Sequence, residues 1–164
     1  MIYRTVCATF TFTLMLVIAG CTTSTPVMEP PAFNLTGVWQ GETRVIPCGF
    51  PFSAAERCNA VNRITFAIRQ DGAELHGDYT CGIGNAVCRD ANRTTNGTIV
   101  HGSVSGNTLA MRVFLPGDLS SCMYNGQVLS ATEARGGYRC YQGGGLVEQG
   151  LWNVSRQETA AAAS

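Results

Sequence analysis

From residue 35 onward the chain alternates. "VNRITFAIRQ" (61–70) sets Ile64, Phe66 and Ile68 on one face and Arg63, Thr65 and Arg69 on the other. That is the period of two expected of a half-buried strand. "TLAMRVFL" divides in the same way, with Leu109, Met111, Val113 and Leu115 against Ala110, Arg112 and Phe114. "ELHGDYT" points Leu75 and Tyr79 inward. With "GVWQGETRV", "GTIVHGSV", "CMYNGQVLS", "GYRCYQ" and "VEQGLWNVSR", eight strands are predicted. Asp71-Gly72 and Gly106-Asn107 are hairpin signals, and the polar stretch Thr132 to Gly136 predicts another turn. Helical periodicity is absent. Ser53-Ala54-Ala55-Glu56, a capping box, predicts a single helical turn in the first long loop.

Glycines recur inside these strands, at Gly41, Gly77, Gly102, Gly126 and Gly150. A mid-strand glycine weakens a flat sheet but suits one that bends sharply and closes. Closure also removes exposed edges. The expected fold is all-β, an eight-stranded up-and-down antiparallel barrel, with a β-sandwich as the alternative. Tracing strand direction puts the tight turns at the Trp39 end, except the one at Gly143–Gly145. The long loops Ile46–Ala60, Cys81–Asn96 and Pro116–Ser121 fall at the opposite rim.

The start of the chain follows other rules. One arginine, Arg4, precedes an almost wholly apolar run from Val6 to Ala19, as in a secretory signal peptide. The run is short for a membrane-spanning helix. Its end, Ile18-Ala19-Gly20-Cys21, resembles the bacterial lipobox. The resemblance implies cleavage before Cys21, a diacylglyceryl group on its sulfur and an acyl chain, commonly palmitate, on its amine. The alternative is an ordinary signal with a chance cysteine. Residue 22 is Thr where an inner-membrane lipoprotein of this type commonly carries Asp, which implies the outer membrane, facing the periplasm. The expected organisation is therefore a signal over 1–20, a lipidated Cys21 and proline-rich tether over 21–34, a barrel over 35–156 and a disordered tail over 157–164.

Eight cysteines then divide by job. Cys7 leaves with the signal and Cys21 takes lipid. Cys48, Cys58, Cys81, Cys88, Cys122 and Cys140 remain, and an even number in an exported domain reads as disulfides. Six cysteines allow on the order of 15 connectivities. Pairing in sequence order (Cys48–Cys58, Cys81–Cys88, Cys122–Cys140) closes the shortest loops. Without a Cys-x-x-Cys pair or suitably spaced histidines, a zinc site is not expected.

"NLTGVWQGE", with Gly37-x-Trp39 opening the first strand, resembles the start of lipocalin and avidin-type barrels. In those families the Trp plugs the closed end beside a basic residue from the last strand, a role the resemblance gives to Trp39 and Arg156. The lipocalin Thr-Asp-x-Tyr signature is missing. With only Trp39 and Trp152, so are the several tryptophans of a biotin site. The resemblance therefore implies the barrel shape and not biotin binding.

The remaining chemistry excludes more than it assigns. Formal net charge is zero and all 11 basic residues are Arg, so there is no basic run for nucleic acid and no lysine for Schiff-base chemistry. His76 and His101 lie on consecutive strands without an oriented partner, so no catalytic constellation, metal site or cofactor is expected. The disulfide-braced rim carries Phe50, Phe52, Arg57, Arg89, Asp90 and Arg93, residue types suited to a partner or an anionic ligand. The expected function is non-enzymatic: binding of a small apolar or amphipathic ligand at the barrel mouth. The alternative is a protein-interaction module, an inhibitor or envelope assembly accessory, docking through that rim. An interior filled by Ile64, Phe66, Tyr79, Met111 and Tyr124 would favour the second, and an open cavity the first.

Overall fold

A computed structural model describes residues 28–46, 61–82, 95–116 and 120–158. Eight strands follow one another: β1 (Gly37–Val45), β2 (Val61–Asp71), β3 (Glu74–Cys81), β4 (Thr95–Ser105), β5 (Thr108–Leu115), β6 (Ser120–Val128), β7 (Glu133–Gln142) and β8 (Gly145–Arg156). Each pairs antiparallel with its neighbours, and β8 returns to β1, with Trp39 opposite Arg156 and Val45 opposite Gly150. The sheet is a closed up-and-down barrel without a free edge. No α-helix occurs among the described residues. The capping box at 53–56 lies outside them.

The alternation seen in the sequence becomes the wall. Asn62, Ile64, Phe66 and Ile68 of β2 are buried while Arg63 and Arg69 are exposed, and on β5 Leu109, Met111, Val113 and Leu115 are buried while Arg112 and Phe114 are exposed. Most inward side chains are apolar, unlike the polar interior of a membrane-spanning barrel. Bulges between Glu74 and Gly77, Ile99 and His101, and Cys140 and Tyr141 shift the register locally and increase strand twist.

Three glycines show why the wall needs them. Gly77 has φ of 145°, and a Cβ there would lie 1.9 Å from the Ala67 carbonyl oxygen. Gly126 and Gly136 sit directly opposite each other on β6 and β7. A Cβ on Gly126 would come within 2.2 Å of the Arg135 oxygen and 2.6 Å of the Trp152 ring. Bare backbone here lets the sheet curl over Trp152.

One expected turn was misplaced. Thr132 to Gly136 is not all turn: β7 already begins at Glu133, and the connection is 129–132. The polar, glycine-rich composition of this stretch resembles a turn. In the barrel Ala134 faces the core and Gly136 makes the close crossing.

Candidate functional site

The interior has three layers. At the closed end, Trp39 is 1 % exposed and its indole Nε1 donates to the Leu35 carbonyl at 2.8 Å. Leu35 is itself buried, and its backbone N–H donates to Gln70 Oε1 at 2.7 Å. Arg156, paired with Trp39 across β1 and β8, donates to the carbonyls of Asn34 (3.2 Å) and Thr36. Its guanidinium covers Gly37, where a Cβ would lie 2.9 Å from Arg156 Nε. Arg156 thus ties the entering chain to the last strand by charge-assisted hydrogen bonds to main-chain oxygens.

The middle layer is aromatic. Phe66 meets Tyr79 and Tyr124 at ring-centroid distances of 5.2 and 5.1 Å, Tyr124 stacks on Tyr138 at 5.6 Å, and Trp152 meets Phe66 and Tyr124 edge-on. The Tyr79 and Tyr124 hydroxyls share a hydrogen bond of 2.8 Å, and Trp152 Nε1 donates to the Gly137 carbonyl at 3.0 Å. Between this layer and the closed end a void of only about 10 Å³ remains, lined by Trp39, Phe66, Met111 and Trp152 among others. That is at most the space of a single water.

The layer toward the loop-bearing rim is polar. Thr43, Asn62, Ser120 and Glu148 are all buried there, beside the Cys122–Cys140 disulfide. Tyr138 donates its hydroxyl proton to Glu148 Oε1 at 2.6 Å. Burial raises all three phenols. Tyr138 lies far above its ordinary range through burial first, then the Glu148 charge and hydrogen bond, with the nearby Thr43 hydroxyl pulling weakly downward. Tyr79 and Tyr124 are pushed up chiefly by burial as well. Thr43 and Asn62 are direct partners across β1 and β2. Among the described residues, Thr43 Oγ1 and both polar atoms of the Asn62 amide make no hydrogen bond of good geometry. Buried polar atoms in that state are uncommon and call for a partner.

Sequence reasoning missed this polar layer because it took polar residues as outward. The alternation held the signal: Asn62 continues the series of Ile64, Phe66 and Ile68, and Glu148 that of Gly150, Trp152 and Val154. The expected rim residues Phe50, Phe52, Arg57, Arg89, Asp90 and Arg93 lie outside the described residues, as do Cys21 and the pair Cys48–Cys58. Cys122 and Cys140 are bonded, opposite each other on β6 and β7. Cys81 is in a disulfide too, and the partner expected for it, Cys88, is not among the described residues.

The two histidines lie outside the barrel wall and line one groove of about 580 Å³ together with Met28, Arg112 and Met123. His76 Nε2 is 3.3 Å from Glu74 Oε2, and both side chains are exposed. No group of three or more His, Cys, Asp or Glu side chains that could hold a metal exists among the described residues.

No family model matches the chain, and comparison with curated proteins finds no match. Among solved structures, a redesigned β-barrel aligns with a TM-score of 0.53 at 12 % identity, covering 76 % of this chain and 92 % of the designed one. At that identity the likeness shows the fold alone.

Proposed function

We propose that the chain is a lipid-anchored envelope lipoprotein, held by Cys21 on the periplasmic side of the outer membrane, whose solid barrel docks a protein partner through its loop-bearing rim. The observation that carries this reading is the filled interior. Phe66, Tyr79, Tyr124, Tyr138 and Trp152 occupy the volume that a small-molecule carrier of this shape leaves open. A rigid, packed barrel still gives cross-linked loops a fixed platform, and binding residues concentrate on such loops. The reading has no catalytic step and no cofactor.

One observation favours a second reading. Thr43 and Asn62 carry buried hydrogen-bonding atoms that have no partner among the described residues, so the polar head of a small amphipathic ligand at the rim would find partners there. Isolation of the lipidated chain from its native envelope after in situ cross-linking separates the two. A stoichiometric protein, lost when Arg57 and Arg89 are both changed to Glu, supports docking. An extractable small molecule with no protein partner replaces docking with the second reading. Cys21→Ala should abolish membrane fractionation, and its retention there would refute the anchor.

A further inference from the structure

The described chain does not leave the barrel straight from its closed end. Glu29 donates its N–H to Ser105 Oγ at 3.0 Å and accepts from Gly106 N at 3.1 Å, and Ala32 N donates to the Gly106 carbonyl at 2.8 Å. The entering segment therefore passes the β4–β5 turn on the outside of the wall. Met28 lies in the groove over β3 to β6, lined by Glu74, His76, His101, Arg112 and Met123 among others. Only seven residue steps separate Met28 from Cys21, a reach of at most about 25 Å.

The wall reached in this way has its own composition. His101, Arg112, Met123 and Arg139 stand side by side in one cross-strand row, and Phe114 and Tyr141 belong to the row beyond it. Met123, Val100 and Phe114 are exposed. β4, β5 and β6 contain no carboxylate, and β7 has only Glu133 at its first position. The opposite wall, β1 and β2, carries Glu42 and Asp71 among its arginines, while Glu74 of β3 and Glu29 beside Gly106 border the groove at its β4–β5-turn end. Within β4 to β7, Arg112, Arg135 and Arg139 outnumber the single carboxylate of Glu133.

From these placements we propose that the outer face of β4 to β7 rests on an anionic phospholipid surface, so that the barrel lies on its side against the membrane. This rests on the lipid-anchor reading of Cys21. Arginines attract acidic headgroups, and methionine and aromatic side chains between them enter the interfacial region. A docked acidic protein would suit the same charges. The short path from Met28 to the anchor favours the bilayer, because that path holds this wall within reach of it.

The test uses the full lipidated chain in vesicles of phosphatidylethanolamine and phosphatidylglycerol, with phosphatidylcholine vesicles as the neutral reference. Hydroxyl-radical labelling reads Met28 and Met123, the two exposed methionines among the described residues. The expected result is that both are protected on the anionic vesicles and less so on the neutral ones. Raised salt and the double change Arg112→Glu/Arg139→Glu should remove the protection, while Arg63→Glu/Arg69→Glu on the opposite wall should keep it. A chain that floats with the vesicles while both methionines label as fast as in solution overturns the sideways orientation and leaves the anchor standing. A chain that does not float with vesicles overturns the anchor and this proposal together.

Discussion

Cys122→Ala removes the β6–β7 cross-link without touching the loops of the rim. The two cysteines are 18 residues apart and directly opposite in the β6–β7 ladder, so hairpin pairing already holds the native geometry. The effect therefore falls on the unfolded chain. Every other cysteine precedes residue 122, so no other disulfide can shorten this loop in the denatured state. With 18 residues in the loop, the chain-entropy relation gives a loss of about 3 kcal/mol at 25 °C, and truncating the buried Cys122 side chain adds about 0.5–1.5 kcal/mol. For a urea dependence of about 1.5 kcal/mol per molar, the midpoint falls by about 2–3 M. The double variant Cys122→Ala/Cys140→Ala loses the same cross-link, so its difference from the single variant reports only the packing of the second buried side chain, about 0.5–1.5 kcal/mol. The assay is equilibrium urea unfolding followed by tryptophan fluorescence. A loss below about 1 kcal/mol in the single variant would refute the reasoning, because it would mean that the unfolded chain keeps the β6–β7 hairpin closed without the bond.

Three other outcomes follow from the packing. Gly77→Ala places a Cβ 1.9 Å from the Ala67 oxygen at φ of 145°, and thermal unfolding should show a loss of at least about 3 kcal/mol. Arg156→Ala frees the carbonyls of Asn34 and Thr36 and should cost about 1.5–3 kcal/mol in urea unfolding, with faster amide exchange at Trp39 and Leu35. Tyr79, Tyr124 and Tyr138 all have raised values in the fold against 10.0 in the open chain. Their contribution to stability is complete below pH 10 and is lost as pH climbs toward the folded values. Spectrophotometric titration should therefore show these three phenols ionising only together with loss of near-ultraviolet circular dichroism. Free titration near pH 10 with the fold intact would contradict their burial.

The barrel was legible in the sequence because closure repeats two local signals around the chain. Alternation marks which residues face in, as along Leu109 to Leu115, and glycines such as Gly41 and Gly150 mark where the wall bends. The turn before β7 was less legible, since Arg135 and Gly136 have turn composition but lie within β7, where Gly136 makes a close crossing. The polar upper layer was hidden for a different reason. Glu148 and Asn62 satisfy the inward period, yet burying such groups is costly unless they are partnered, and partnership is a tertiary fact. The docked path of Met28 to Ala32 was also invisible, because its hydrogen bonds go to Gly106 and Ser105, far along the chain.

The proposal of rim docking rests on the packed interior of the barrel. Xenon binding to the unmodified protein, read by the methyl and aromatic shifts of Met111, Phe66 and Trp152, tests it most directly. No saturable shift is expected at these residues, because the void between them is only about 10 Å³. Saturable binding among Trp39, Phe66 and Trp152 would show an interior open to ligands and contradict the account.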